Sequence, residues 1–406
     1  MENLELELEK NRQTEIVEPY KLPTGWKWCK QSEVCKLVDG EKIADKEYPY
    51  LEVKYLRGTK EKSFVTSGKL IKKGTKVILV DGENSGEVFT VPEDGFMGST
   101  FKALSIQNVD ENYLQFFIQT KKDLYRNNKK GSAIPHLNKE LFFNMPFPLP
   151  PTLAEQQRIV NRIETMFAKL DQAQEKAQTV LDSFETHKAA ILHKAFSGQL
   201  RIDNEELTIA DWEDTTIGEC CKLGSGGTPS KSHPEYYENG IIPWLKTGEI
   251  DWNDIYDVEE RITNAGVENS SAKIFPAESV VVAMYGMGVT RGKAAIIKIP
   301  TTTNQAVCVL QPNEKLNNRF LFYYFMCNYW QIREQSVGGN QLNLSGKIIA
   351  SFPIKLPPLN YQLSIVNFLD IVLEKESRAK EAAGTVLDQI ALLKKSILAR
   401  AFRGEL

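Results

Sequence analysis

Apolar positions along the chain follow two different rhythms. In two long runs they return every three or four residues: Val160, Ile163, Phe167, Leu170, Ala177, Leu181, Phe184 and Ile191 in the first, and Val366, Leu369, Leu373, Ala383, Leu387, Ile390 and Ile397 in the second. Alternating steps of three and four place one apolar stripe on a helix, so the runs predict two long helices with coiled-coil seams. Each run is entered through Pro-Pro and closed by a glycine, Gly198 or Gly404, the residue that most readily takes the left-handed conformation beyond a helix end. Some forty residues at 1.5 Å each make a rod of about 60 Å, far longer than an ordinary core helix. The other rhythm is short and strand-like, with turn signals between the runs: KVILV then DGENSGEVF, and SVVVAMYGMG then KAAIIKI.

The two halves of the chain repeat each other. VLDSFETHKAAILHKAFSGQL ends the first helix and VLDQIALLKKSILARAFRGEL ends the second, while FPLPPTLAEQQRIVNRI near Phe147 answers IKLPPLNYQLSIVNFL near Ile354. The segments before the helices echo as well. CKL recurs at Cys35 and Cys221, NYLQFFIQTKKDLY matches RFLFYYFMCNYWQIR, and GSAIPHLN at Gly131 matches GGNQLNLS at Gly338. The reading is an α/β globule followed by a long helix, written twice. It gives an N-terminal tail over 1–19, a first domain over 20–148, a central helix over 149–207, a second domain over 208–352 and a C-terminal helix over 353–406.

Composition removes several classes of function. The six cysteines form no C-x-x-C pair and the four histidines no H-E-x-x-H, which argues against a metal site or a disulfide framework and fits a reducing cytoplasm. The start, MENLELELEKNRQ, has no apolar core of a signal peptide, and no run is long enough to span a bilayer, so a soluble cytoplasmic protein without membrane contact is expected. The net charge of -3 conceals an asymmetry: residues 20–148 sum to +5 and residues 208–352 to -4. Nucleic-acid binding by the second domain would therefore rest on a local patch.

GMGVTRG, Gly286 to Gly292, has the wrong glycine spacing for a dinucleotide site and precedes a strand-like run rather than a helix. It reads as a hairpin carrying Arg291 and Lys293. The sequence has no ATP-binding P-loop and no [DN]-P-P-[YF] of an amino-methyltransferase, so no catalytic residue is assigned and no cofactor is expected on this chain. Binding residues are easier to propose. In the first domain KYLRGTKEK offers Lys54, Tyr55, Arg57, Lys60 and Lys62, and RNNKKGS offers Arg126, Lys129 and Lys130. In the second, GGTPSKSHPEYY and IIPWLKTGEI offer Thr228, Ser230, Lys231, His233, Lys246 and Thr247. Cationic, hydroxyl and amide groups on loops suit phosphate positioning and base-edge contact.

With these residues in place the chain resembles the specificity subunit of Type I restriction-modification systems. The resemblance rests on L-P-x-G-W at Leu22 to Trp26, on GGTPSKSHPEYY with IPW and GEI at Ile242 to Ile250, and on LPP leading to EQQRIV at Glu155 to Val160. It extends to K-x-x-I-L-x-x-A-F-x-G-x-L at both helix ends, and it departs from the pattern at Tyr361 and Leu363 after the second LPP. It implies two α/β target recognition domains separated by two long antiparallel coiled-coil helices, each domain reading half of a bipartite site in double-stranded DNA. The helix seams, with flanking positions, would dock two methyltransferase subunits. Motor-nuclease subunits would join in the full complex, with S-adenosylmethionine, ATP and magnesium on those partners. The alternative is a coiled-coil scaffold whose globular inserts bind proteins.

Overall fold

A computed structural model of the chain describes residues 18–131, 135–202, 205–206, 212–286, 288–337 and 342–406. Nearly all of the N-terminal tail, Met287, and parts of GSAIPHLN and GGNQLNLS lie outside the described residues. Two compact units are present, residues 1–178 with 384–406, and residues 179–383. Each of the two long helices, Leu153–Phe196 and Leu359–Phe402, is 44 residues long and contributes to both units.

The central sheet of the first unit has the order Cys35–Val38, Phe101–Ile106, Lys76–Leu79, Val88–Thr90, all antiparallel. That of the second unit runs Cys221–Ser225, Val307–Pro312, Val280–Ala283, Ala294–Ile297, with Asp254–Ile255 added in parallel at the edge. The four shared strands come in the same spatial order, so the repeat read in the sequence is a repeat of fold.

Val280–Ala283 is buried at every position because the sheet is covered on both faces. Val280 and Val282 join the core beneath the helices, whereas Val281 and Ala283 join a second core on the opposite face, as the alternation of side chains along a strand requires. Ile78 against Val77 and Leu79 divides the first unit in the same way. The chain enters each domain on a strand that pairs antiparallel with the strand leaving it, Lys27–Lys30 with Pro146–Leu149 and Glu213–Thr216 with Pro353–Leu356. Entry and exit therefore lie side by side where the long helix begins.

Each long helix starts with a buried glutamine, Gln156 or Gln362. The Gln156 side-chain oxygen accepts from the Asp110 N–H at 2.7 Å, and Asp110 caps helix Glu111–Thr120 by accepting from Asn112 and Tyr113. The Gln362 oxygen accepts from the Asn317 N–H at 2.8 Å, Asn317 caps helix Asn318–Cys327, and the Gln362 amide donates to the carbonyls of Lys315 and Pro357. Both helices end at a glycine with positive φ, Gly198 and Gly404.

Within each unit the two long helices run antiparallel. In the first, Ile159, Val160 and Ile163 share a core with Leu398, Ala401 and Phe402, and Lys394 reaches Asp171 at 2.5 Å and Gln174 at 3.2 Å. In the second, Leu192 and Ala195 share a core with Ile365, Val366 and Leu369, and Lys380 lies over the Phe184 ring. Val160, Ile163, Val366, Leu369 and Ile390 are buried, and Phe167, Leu170, Leu181, Phe184, Ile191, Leu373, Leu387 and Ile397 are half-buried. The antiparallel coiled-coil fold expected from the seam is the fold observed.

Candidate nucleic-acid interface

The strand registers place the candidate loops. In the second unit Ser225 pairs with Cys308 and Ala283 with Val307, so the loop after Ser225 and the hairpin after Ala283 leave the same end of the sheet. In the first unit Val38 pairs with Ala103 and Leu79 with Phe101, which puts the corresponding segments at the corresponding end. The helix joints occupy the other end, since Asp110 and Asn317 follow the far ends of Phe101–Ile106 and Val307–Pro312.

The two basic stretches of the first domain meet at one hairpin. Arg57 pairs with Glu87, which lies 3.9 Å from Lys122, and Lys129 pairs with Glu83 of the same loop at 2.6 Å. Lys60 pairs with Glu52, and Lys62 with Glu93, which also accepts from the Tyr55 hydroxyl. The Lys62 ammonium, and after it the Tyr55 hydroxyl, hold the Glu93 carboxyl below its ordinary value. Lys130 pairs with Glu140 at 3.1 Å, while Lys54 and Arg126 are exposed and enter no ion pair among the described residues. The basic patches are thus cations already matched to carboxylates, with Lys54 and Arg126 left over.

In the second domain the loop from Gly226 is pinned to the core. Trp244 donates from its indole to the Gly227 carbonyl at 3.0 Å, and the Tyr237 hydroxyl donates to Pro229 at 2.5 Å. A side chain at Gly226 would meet the Thr303 carbonyl oxygen at 1.8 Å, so the chain needs glycine there. Thr228 bonds Gln305, Ser230 bonds Ser232, and His233 pairs with Glu235 and stacks on Tyr236, leaving Lys231 exposed with no ion pair among the described residues. Lys246 pairs with Glu260 at 2.5 Å and Lys293 with Asp251, whereas Arg291 donates to the Leu342 carbonyl at 2.8 Å. Thr247 is half-buried and starts a short 3-10 turn.

Sequence reasoning passed over Arg333. Its guanidinium donates to the carbonyls of Arg291 at 2.6 Å and Gly288 at 2.7 Å, and it stacks on Tyr329 and Trp330. The signal was present: Arg126 is the fifth residue of helix Lys122–Asn127, and Arg333 is the fifth of helix Tyr329–Glu334. Carrying the repeat from one to the other would have named it.

Nucleophile chemistry finds no support in the thiols. Cys29, Cys35, Cys220, Cys221 and Cys308 are buried, and burial pushes Cys35, Cys221 and Cys308 up to about 12, far from a reactive thiolate. Among the described residues no His, Cys, Asp or Glu cluster could hold a metal, and no helix is long and apolar enough to cross a membrane.

Comparison with known proteins agrees with the duplicated architecture. The chain is 26% identical over 419 residues to the MjaVIII specificity subunit of Methanocaldococcus jannaschii, covering 95% of this chain and 94% of that protein. It is 24% identical to the StySPI specificity subunit of Salmonella potsdam, over 95% of this chain and 90% of the relative. The solved HsdS subunit from Thermoanaerobacter tengcongensis superposes with a TM-score of 0.62 at 20% identity, covering 96% of this chain and 99% of that one. A chain from a type I R-M system solved for its complex assembly and conformational transition gives 0.74 at 19%, covering 96% of this chain and 100% of that one. The profile for the Type I restriction modification DNA specificity domain matches twice, over residues 23–181 and 209–382, and the protein therefore belongs to that family.

Proposed function

We propose that the chain is the DNA-reading subunit of a Type I restriction-modification complex and is not itself catalytic. Each domain reads one half of a bipartite site in double-stranded DNA, and the paired helices set the distance between the halves. Two methyltransferase subunits dock on the helices and carry S-adenosylmethionine, and motor-nuclease subunits with ATP and magnesium complete the assembly in the cytoplasm. The observation that carries this reading is a duplicated scaffold with unlike loops at the same sheet end: a matched set of cations and carboxylates in the first domain, and a glycine-tight, hydroxyl-rich loop in the second. Two unlike readers on a repeated frame suit two unlike half-sites.

A docking surface is also available on the helices. Val386, Leu392 and Leu393 project from the part of the C-terminal helix that belongs to the first unit, with Leu392 67% and Leu393 50% exposed, while its seam residues turn inward. Apolar groups in that number on one helix fit a protein partner.

The test exchanges residues 208–352 for the equivalent segment of a related chain and maps methylated adenines across the genome of a host carrying the whole system. One half of the motif should change and the other persist. A motif that changes in both halves would refute modular reading, and a host with no motif at all, even with the unaltered chain, would favour the scaffold that binds proteins.

A further inference from the structure

Both units clasp the hairpin after their central strand in the same way. Leu137 donates to the Val80 carbonyl at 2.8 Å and Leu344 to the Met284 carbonyl at 3.0 Å, and each clasp is closed by a β-bridge, Lys130 with His136 and Val337 with Asn343. The corner so formed carries Arg126 in the first unit and Arg333 in the second. The charge balance of the two corners differs. In the first, Glu83 and Glu87 answer Lys129 and Arg57, and Asp81 hydrogen-bonds the His136 ring. In the second, Arg291 and Arg333 lie together and, among the described residues, neither meets a carboxylate, although Lys246, Arg261, Lys293, Lys298 and Arg319 of the same unit all do.

The grip on this pair is firm. Arg333 spans two hairpin carbonyls and stacks on two rings, Arg291 reaches across to Leu342, and the Tyr329 hydroxyl donates to Val289. Burial, and then the neighbouring Arg333, press the Arg291 pKa down, as expected where two like charges share a site with no counter-ion. Three polar atoms buried at the same corner have no hydrogen-bond partner among the described residues: Arg291 Nε, Ser336 Oγ and Asn343 Oδ1. Buried polar atoms are rarely left so. Around them Val289, Trp330, Val337 and Leu342 stand 46–66% exposed. An uncompensated, preorganised pair of guanidiniums beside unsatisfied polar atoms, in a domain acidic overall, is arranged for an anion that comes from outside.

We propose that this corner, formed by residues 288–292, helix Tyr329–Glu334 and the flanks of the loop at Val337 and Leu342, anchors a backbone phosphate of duplex DNA through Arg291 and Arg333. The proposal rests on the DNA-reading function above. A phosphate is favoured over a carboxylate on a protein surface because the corner shares its sheet end with the other candidate loops and because its counterpart bears Arg126 in the basic first domain. Guanidinium forks match phosphate oxygens, and the apolar rim can lie along the sugars without reading sequence.

The test uses the full chain in complex with its methyltransferase subunits and a duplex containing the motif that this complex methylates. Affinity is measured against salt for Arg333→Gln, Arg291→Gln and Arg333→Lys. Each lost phosphate contact should reduce the magnitude of the slope of log K against log salt by about 0.9, so that with affinities referenced to 1 M salt the variant binds roughly fivefold more weakly than the unmodified complex at 0.15 M. Arg333→Lys should keep the slope, and the methylated motif should be the same for all variants that assemble. Should Arg333→Gln fail to assemble, Arg291→Gln decides alone. Glutamine variants that bind more weakly with an unaltered slope would show the arginines to be structural props and overturn the proposal; so would binding better explained by a protein partner competing at the corner. If instead the unmodified complex shows no sequence-specific, salt-dependent binding, the DNA-reading function falls, and the anchor with it.

Discussion

The buried glutamines at the two helix entries should differ sharply in what their loss costs. Gln156→Met and Gln362→Met keep the side-chain length and remove the amide. The first strands one group, the Asp110 N–H. The second strands three, the Asn317 N–H and the carbonyls of Lys315 and Pro357. A buried polar group left unsatisfied costs about 1–3 kcal/mol. Gln156→Met should therefore destabilise its unit by about 2 kcal/mol, and Gln362→Met its unit by roughly twice that or more, even if one carbonyl finds water. Because the chain has two units, a single global transition is the wrong readout; native-state hydrogen exchange resolves each. Amides of helix Asn318–Cys327 should lose more protection in Gln362→Met than those of Glu111–Thr120 lose in Gln156→Met. Equal losses, or a neutral Gln362→Met, would mean that these bonds do not hold the helix to the domain.

Other perturbations separate binding from folding. Arg57→Ala with Lys60→Ala removes two surface ion pairs worth only about 0–1 kcal/mol each, so hydrogen-exchange protection in the first unit should hardly move while the salt slope of DNA binding drops by about 1.8; an unchanged slope would place this loop away from DNA. Ile163→Asp and Leu369→Asp bury a carboxylate at fully buried seam positions, at a cost of several kcal/mol, and should abolish assembly with partner subunits or folding, whereas the exposed Leu392→Asp should leave hydrogen-exchange protection intact and weaken assembly alone. Four residues added after both Lys176 and Ala382 lengthen each helix by about 6 Å, and the motif mapped in a host should gain one or two base pairs of spacer with its half-sites unaltered; an active variant marking the original spacing would refute the ruler.

Periodicity made the helices and central strands legible, because burial on one helix stripe or on both sheet faces leaves a regular trace. The interface left almost none. Arg57 and Glu87 are thirty residues apart and Lys293 and Asp251 forty-two, so no window of sequence shows that these cations are already matched. A count of charge by segment sees a basic first domain; it does not see that Arg291 and Arg333, which lie together and meet no carboxylate among the described residues, belong to the acidic one. Gln362 is the opposite case. Its neighbours Tyr361 and Leu363 depart from the first copy, yet the glutamine is retained at a position that ties helix to domain, and carrying the constant offset of the repeat from Gln156 would have named it.

The separation of those two kinds of residue explains how one frame can serve many specificities. The glutamine joints hold the far ends of Phe101–Ile106 and Val307–Pro312, while the loops that would touch DNA leave the near ends, one strand length away. A strand of six residues spans about 20 Å, beyond the range over which substitutions usually couple when they share no partners. Exchange of a loop can thus alter hydrogen-bonding groups toward a base without disturbing the helix entry or its seam. The coupling that remains runs through the corner, where Arg333 joins a helix of the core to the hairpin tip. A loop grafted into the second domain without a partner for that arginine would leave its charge with neither carbonyl nor phosphate. Such grafts should lose methylation of the whole motif, and restoring the carbonyl-bearing turn from Gly288 to Gly292 should recover it.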